Sequence, residues 1–156
     1  MDLLNASIEI STAPEDVREK FLDFSQIPTY HPNGFFKSLG PAIPNKPLEP
    51  GDKMHNVLEG MTFDPIFLEN SPTCFRWLGS LPGIFSGEHI FRFEPSIATH
   101  GGTTFVQEEK FTGILAFLMG DGFVARSIGL REKTKRGWES YNRDLKTWCE
   151  RSKKGN

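Results

Sequence analysis

The stretch from Phe85 to Thr112 reads FSGEHIFRFEPSIATHGGTTFVQEEKFT. Within it, apolar and polar side chains alternate over Phe85 to Phe93 and again over Thr103 to Thr112. A period of two is typical of β-strands that are buried on one face only. The turn-forming residues between the two segments, ending in His100-Gly101-Gly102, predict that the segments form an antiparallel hairpin.

One face of this predicted hairpin is aromatic but also carries three polar side chains. The residues on that face are His89, Phe91 and Phe93 on the first strand and Phe105, Gln107, Glu109 and Phe111 on the second. The charged alternates Glu88, Arg92 and Glu94 indicate the solvent side. If the hairpin is symmetric about Thr99, His89 lies opposite Glu109 and Phe91 lies opposite Gln107. A register shifted by two residues is the alternative.

His89 and Glu109 are the candidate catalytic residues. A buried His or Glu must be hydrogen-bonded or shifted toward its neutral form. A carboxylate that holds one imidazole nitrogen leaves the other as a base near neutral pH. We therefore predict His89 as a base and Glu109 as an orienting group or alternate proton carrier. The other interpretation is a polar pair that fixes the sheet register or orients a ligand without chemistry.

Upstream of the hairpin, the pattern predicts one strand, short helices and further strands. Residues 3 to 12 alternate as a strand, and Ser11 or Thr12 then precedes Ala13-Pro14-Glu15-Asp16, a helix-start signal. That helix is expected to end near Phe24 or Ser25, and at most a short second helix fits before Gly34. The predicted strands that follow are Phe35 to Leu39, Lys53 to Leu58, Met61 to Glu69 and Cys74 to Gly79.

Downstream of the hairpin, the apolar period changes to that of a helix. Gly113 to Gly122 is predicted to be an apolar loop, and Asp121 a cap for a long C-terminal helix that lies across the sheet. The predicted inward stripe of this helix is Phe123, Ser127, Leu130, Thr134, Trp138, Tyr141, Leu145 and Trp148. No linker or repeat divides the sequence, so residues 1–156 are expected to form a single domain.

Two further segments each leave alternatives open. In residues 41–50 a proline recurs at every third position from Pro41, which fits either a stiff extended crossing over the sheet edge or a ligand for a proline-reading domain. The apolar residues 114–119 could fold over a cavity, form a dimer contact or touch a membrane surface.

The composition excludes several classes of function. The 156 residues include 18 basic and 20 acidic side chains, a net charge of −2, so we expect no nucleic-acid partner. The two cysteines and the lack of a signal sequence favour the cytoplasm. No apolar stretch is long enough for stable membrane insertion. The four histidines lack metal-ligand spacing, and no phosphate-binding loop, nucleophile elbow or dinucleotide fingerprint is present, so no metal and no cofactor are expected.

Taken in order, several strings resemble the START-like or SRPBCC superfamily, in particular its polyketide cyclase/dehydrase-type and birch-pollen-allergen-type members. The strings are Ala13 to Val17, Phe75 to Gly79, Gly87 to Pro95, Thr104 to Gly113, and Asn142 to Lys146 with Glu150. The resemblance implies an α+β helix-grip fold: a curved seven-stranded antiparallel sheet wraps the long C-terminal helix, and two short helices follow the first strand. It also implies a deep cavity for an apolar ligand.

With such a cavity, the 14 Phe residues are interpreted as a lining as well as a core. Trp77, Phe91, Phe105 and Phe111 could form an aromatic wall, and periodicity points Phe67 and Phe75 to the same interior. Gln107 and Tyr141 could offer donors to a ligand oxygen or be satisfied core groups. The resemblance implies that the protein binds an aromatic or polyketide-like molecule and catalyses cofactor-free cyclisation, dehydration or isomerisation. The alternative is a non-catalytic carrier of lipid or another hydrophobic metabolite. Monomer and homodimer both stay open.

Overall fold

A computed structural model of the chain describes residues 2–81, 85–112 and 129–154. The elements in chain order are β1 (Asp2–Ile10), α1 (Pro14–Leu22), a 3-10 turn (Phe24–Gln26), α2 (Ile27–Tyr30), β2 (Phe36–Ser38), β3 (Asn56–Leu58), β4 (Met61–Phe63), β5 (Ile66–Asn70), β6 (Cys74–Leu81), β7 (Phe85–Pro95), β8 (Thr103–Thr112) and α3 (Leu130–Lys154). This is the α+β order that the sequence predicts.

The strands form two antiparallel sheets. The larger sheet has the order β1-β8-β7-β6-β5 and the smaller has the order β2-β3-β4. The prediction of one seven-stranded sheet is therefore wrong, since the described residues contain eight strands. The expected strand from Met61 to Glu69 breaks into β4 and β5 at Asp64-Pro65 because proline has no N–H for a sheet ladder. The Pro65 carbonyl instead accepts a hydrogen bond from the backbone N–H of Met54.

The register of the β7–β8 hairpin agrees with the prediction. His89 pairs with Glu109, and Phe91 pairs with Gln107. The predicted solvent side also carries charges in ion pairs: Arg76 of β6 contacts Glu88 of β7 at 2.5 Å. The observed pairing of His89 with Glu109 excludes the alternative register, shifted by two residues. A slip by one residue would exchange the two faces and is disfavoured by this ion pair and by the aromatic inner face.

The helix α1 starts where predicted, but without the predicted cap. Its N-cap residue is Ala13, whose side chain cannot cap, and Pro14 occupies the first turn. The Thr12 carbonyl is used elsewhere, as acceptor for the Thr103 hydroxyl at 2.6 Å. Val17 and Phe21 are buried under the sheet, and the helix ends at Leu22, two to three residues earlier than expected.

The helix α3 packs chiefly against β1 and buries the middle of the predicted stripe, whereas the stripe residues Thr134 and Trp148 are half-buried. Trp138, Tyr141 and Leu145 are buried, together with Asn142 and Cys149, which the predicted stripe did not include. The expected cap Asp121, the stripe residues Phe123 and Ser127, and the apolar loop 113–122 lie outside the described residues. No helix in the described ranges is both long and apolar enough to cross a membrane.

Residues 51–53, which directly follow the proline-containing segment 41–50, run beside the β5 edge of the larger sheet, and Pro41 pairs with Met54 next to them. The backbone N–H of Gly51 donates to the Phe67 carbonyl at 2.9 Å, and the Phe67 N–H donates to the Asp52 carbonyl at 2.8 Å. These bonds cover part of the β5 edge, which would otherwise present unpaired backbone groups.

Candidate functional site

The inner face of the larger sheet is organised in cross-strand rows. In the first row Phe67, Trp77, His89, Glu109 and Leu4 lie side by side across five strands. All of them except Glu109 are buried. This row places the two predicted catalytic residues next to each other and next to an aromatic wall.

The rows on either side differ from the first. One contains Phe75, Phe91 and Gln107, all fully buried. The other contains Gly79, Gly87 and Phe111. Two adjacent glycines leave this part of the inner face without side chains, so the Glu109 carboxyl group can lie over Gly87. A Cβ atom on Gly87 would come within 3.3 Å of the Glu109 Cδ and Oε1 atoms.

His89 is hydrogen-bonded to Gln107 rather than to Glu109. The His89 Nε2 and the Gln107 Oε1 are 2.9 Å apart, and the Gln107 Nε2 donates to the Asn142 Oδ1 at 2.8 Å. Because the Gln107 amide nitrogen faces α3, its oxygen faces His89, and His89 must donate from Nε2. The Nδ1 atom is therefore an acceptor that faces Glu109.

The carboxyl group of Glu109 lies near this acceptor without bonding to it. The Glu109 Oε1 is 3.7 Å from the His89 Nδ1, beyond hydrogen-bond length, and 17% of the Glu109 side chain is exposed. Burial of the carboxyl group raises the pKa of Glu109 to about 8. At neutral pH Glu109 is mostly protonated and can act as a donor.

The imidazole of His89 is enclosed by rings. It stacks on Phe91 with centroids 4.3 Å apart, and Trp77 and Trp138 lie at 4.9 and 4.7 Å. Burial lowers the pKa of His89 to about 3, against a smaller opposite effect of the Gln107 hydrogen bond. This differs from the expectation of a base near neutral pH, because the carboxylate that was expected to stabilise the protonated ring is itself neutral and too distant.

The other predicted ligand residues are all buried but fall into two groups. The first group, on the sheet, is Phe67, Phe75, Trp77, Phe91, Gln107 and Phe111. The second is Tyr141 of α3, whose hydroxyl is 2.9 Å from the Tyr30 hydroxyl of α2. Tyr141 is therefore already paired within the protein.

Two residues that the sequence interpretation missed complete the site. Phe36 of β2 lies edge-on to Tyr141 at 5.0 Å and covers His89 at 6.0 Å. Asn142 of α3 is buried and accepts from Gln107. Asn142 follows Trp138 by one helical turn, so the apolar stripe itself was a signal that this amide faces inward.

A groove of about 480 Å³ opens elsewhere on the surface, between the start of α1 and the β7–β8 turn. It is lined by Ala13, Pro14, Glu15, Arg18, Pro72, Thr73, Phe93, Pro95, Ser96, Gly101 and Gly102. None of these is a predicted site residue, and the row of Glu109 lies toward the other end of β8. We assign the candidate site to the inner face because the buried polar groups converge there.

In the described ranges, no three His, Cys, Asp or Glu side chains converge as metal ligands.

Comparison of the sequence with protein-family models and with curated proteins finds no match. The fold, in contrast, is similar to many solved structures at a probability of 1.00.

Three of these structures illustrate the range. A START superfamily protein from Mycobacterium smegmatis shares 13% identity at a TM-score of 0.64, over 96% of this chain and 97% of that chain. Norcoclaurine synthase from Thalictrum flavum, in complex with dopamine and hydroxybenzaldehyde, shares 8% identity at a TM-score of 0.65, over 94% of this chain and 85% of that chain. The di-domain ARO/CYC StfQ from the steffimycin biosynthetic pathway shares 14% identity at a TM-score of 0.64, over 96% of this chain and 51% of that chain. Identities this low establish the fold alone, and the chain therefore has the START-like, helix-grip fold that its motifs resemble.

Proposed function

We propose that the protein binds an uncharged aromatic, polyketide-like molecule against the inner face of the larger sheet and catalyses a proton transfer on it. The observation that carries this proposal is the polar chain His89–Gln107–Asn142, with the Glu109 carboxyl group 3.7 Å from His89, in surroundings that are otherwise apolar. A sheet face that serves only for packing has no need of the three polar side chains of His89, Gln107 and Glu109.

Glu109 is the group that exchanges protons with the ligand in this proposal. Its pKa of about 8 lies close to physiological pH, where a general acid–base is most effective. Its distance of 3.7 Å from His89 leaves the carboxyl proton available to a ligand oxygen. Of the predicted roles, this proposal keeps Glu109 as the proton carrier and gives up His89 as the base: His89 stays neutral and hydrogen-bonded to Gln107.

The proton transfer balances within one carboxyl group. The O–H oxygen of Glu109 donates its proton to a ligand carbonyl oxygen, while the second oxygen takes a proton from the adjacent carbon. The ketone becomes an enol, and the carboxyl group is neutral before and after. No ion has to form in a buried site, which would be costly. Enols of this kind are the species that cyclise or lose water.

The ligand class follows from the wall beside Glu109. Phe67, Trp77 and Phe111 offer aromatic surface. The sheet carries no side chains of its own at Gly79 and Gly87, where the Phe63 ring and the Glu109 carboxyl group cover it, so a planar ligand ring would contact the sheet here in place of the Phe63 ring. Two of the structural neighbours support this class, since one is in complex with dopamine and hydroxybenzaldehyde and another is an ARO/CYC of a biosynthetic pathway.

A second candidate is a non-catalytic carrier of a hydrophobic metabolite. It is favoured by the pairing of His89 with Gln107 and of Tyr141 with Tyr30 within the protein. Groups that are already paired can orient a ligand without reacting with it.

The test follows exchange of the α-protons of 2-tetralone, a bicyclic ketone with a fused aromatic ring, in D₂O by NMR, and binding by quenching of tryptophan fluorescence. Wild type is expected to accelerate the exchange, and Glu109→Gln to lose about 100-fold or more of that acceleration while still binding. Glu108→Gln is the matched control, because Glu108 is adjacent but pairs with Arg92 on the outer face.

Three results would count against the proposal. Binding without exchange in wild type supports the carrier. Exchange that survives in Glu109→Gln excludes Glu109 as the proton carrier. Failure of wild type to bind 2-tetralone argues against an aromatic ligand on this face.

A further inference from the structure

Asn56 of β3 is a polar residue in an apolar position. Its side chain is fully buried, yet neither the Oδ1 nor the Nδ2 atom has a hydrogen-bond partner among the described residues. Unpaired buried amide atoms are destabilising, and most buried polar groups in folded proteins have a partner. The two neighbours on the same face, Met54 and Leu58, are apolar and buried, so packing alone would favour a third apolar residue here.

The position of Asn56 directs it toward the candidate site. Asn56 is the cross-strand partner of Phe63, so the two side chains project from the same face of the smaller sheet. The Phe63 ring in turn lies edge-on to Trp77 at 6.3 Å and would be 3.3 Å from a Cβ atom on Gly79. Asn56 therefore belongs to the same interior as the aromatic wall, on the sheet opposite Glu109.

A side-chain amide offers a donor nitrogen and an acceptor oxygen about 2 Å apart, and in Asn56 neither atom is paired among the described residues. The complementary partner is a group that presents an acceptor and a donor side by side. Such a partner would pair with both atoms at once. The gain in binding free energy would be large, because both amide atoms are buried and unpaired in the absence of the ligand.

We infer that Asn56 is a ligand-recognition residue, selective for planar ring systems that carry a hydrogen-bond donor and acceptor on adjacent positions of one edge. This inference rests on the proposed function, because it requires an aromatic ligand on the inner face. In the bound state the apolar body of the ligand contacts Trp77 and Phe63, its polar edge pairs with Asn56, and Glu109 acts from the larger sheet.

The test compares two probes of the same ring shape. 2-Quinolone has an N–H next to a carbonyl group, whereas naphthalene has neither. Each probe is titrated into wild type, Asn56→Leu and Thr12→Val, and the melting temperature of each variant is measured. Thr12 is the matched control: its hydroxyl is also buried and unpartnered in the described residues, but the residue contacts the start of β8, about 20 Å along the strand from Glu109.

The two quantities are expected to change in opposite directions in Asn56→Leu. Its melting temperature should rise by about 2–4 °C, because two unpaired polar atoms are removed. Its affinity for 2-quinolone should fall by about tenfold or more, while its affinity for naphthalene stays the same. Thr12→Val should raise the melting temperature and change neither affinity.

The outcomes separate this inference from the proposed function. A lower melting temperature or failure to fold in Asn56→Leu means that the amide has a structural role and overturns the inference. Unchanged affinity for 2-quinolone also overturns it. If wild type binds naphthalene but does not prefer 2-quinolone, the inference alone fails. If wild type binds neither probe, the aromatic-ligand proposal fails together with it.

Discussion

The opposite pKa shifts of His89 and Glu109 predict an unusual dependence of stability on pH. Burial raises the pKa of Glu109 from 4.5 to about 8, so between these values the folded state holds one more proton than the unfolded state. The contribution of Glu109 to the free energy of unfolding is fully present below pH 4.5 and is lost as the pH rises toward 8. Burial lowers the pKa of His89 from 6.5 to about 3, so this group makes stability rise with pH between 3 and 6.5.

Combining the two groups gives the expected curve. Each contributes a slope of about 1.4 kcal/mol per pH unit, with opposite signs. From pH 4.5 to 6.5 the slopes cancel and the pair leaves stability constant. From pH 6.5 to 8 only Glu109 titrates, and the free energy of unfolding falls by about 2 kcal/mol. Below pH 4.5 only His89 acts, and stability falls as the pH decreases.

The perturbation is Glu109→Gln, measured by urea unfolding at pH 4.5, 6.5 and 8 with tryptophan fluorescence. The variant should lose the fall between pH 6.5 and 8, and the unopposed His89 should make its stability rise by about 2–3 kcal/mol between pH 4.5 and 6.5. Glu108→Gln should keep the wild-type curve. If Glu109→Gln and wild type show the same change between pH 6.5 and 8, Glu109 is not held neutral by the fold, and its assignment as a neutral acid is refuted.

Two further predictions concern the surroundings of this pair. Gly87→Ala places a Cβ atom 3.3 Å from the Glu109 carboxyl group and should displace that group. The decrease in the free energy of unfolding above pH 6.5 should then be smaller, and 2-tetralone exchange slower. Gly79→Ala is the control: its Cβ atom would meet the Phe63 ring instead, so the dependence of stability on pH should stay unchanged. Tyr141→Phe and Tyr30→Phe should each lower the free energy of urea unfolding by about 1–2 kcal/mol, because each leaves the hydroxyl of the other tyrosine buried and unpaired. The double variant should lose less than the sum of the two single losses. Additive losses would mean that the two hydroxyl groups do not interact.

The hairpin and its faces could be predicted because the information is local. Alternation fixes which side chains share a face, and the charges of Glu88 and Arg92 identify the outer one. The split of the predicted Met61–Glu69 strand had a local signal as well, namely Pro65. Asn56 had one too: in the predicted strand from Lys53 to Leu58 it is the polar residue between two apolar residues of the same face.

The hydrogen-bond partner of His89 could not be predicted in this way. Gln107 and Glu109 both lie on the inner face of β8. Glu109 is directly opposite His89 and Gln107 is in the neighbouring row, so the side chain of either residue can reach His89. The choice depends on Asn142, which holds the Gln107 amide nitrogen from α3, 35 residues further along the chain. Alternation along a strand carries no information about a contact from another element, so the sequence alone placed the polar residues correctly and paired them differently.

If the proposed site is correct, the same tertiary contacts determine which ligands it accepts. His89 is neutral above pH 3 and Glu109 is neutral below pH 8, so across that interval the polar chain carries no charge. Among the described residues, the buried polar side chains include no Lys or Arg that could pair with an anion. An ionised carboxylate or phosphate would lose its hydration there without a compensating charge, whereas a neutral ketone, phenol or lactam could hydrogen-bond to Glu109 or Asn56. The electrostatics of the inner face therefore favour uncharged, oxygen-bearing aromatic ligands over anionic lipids.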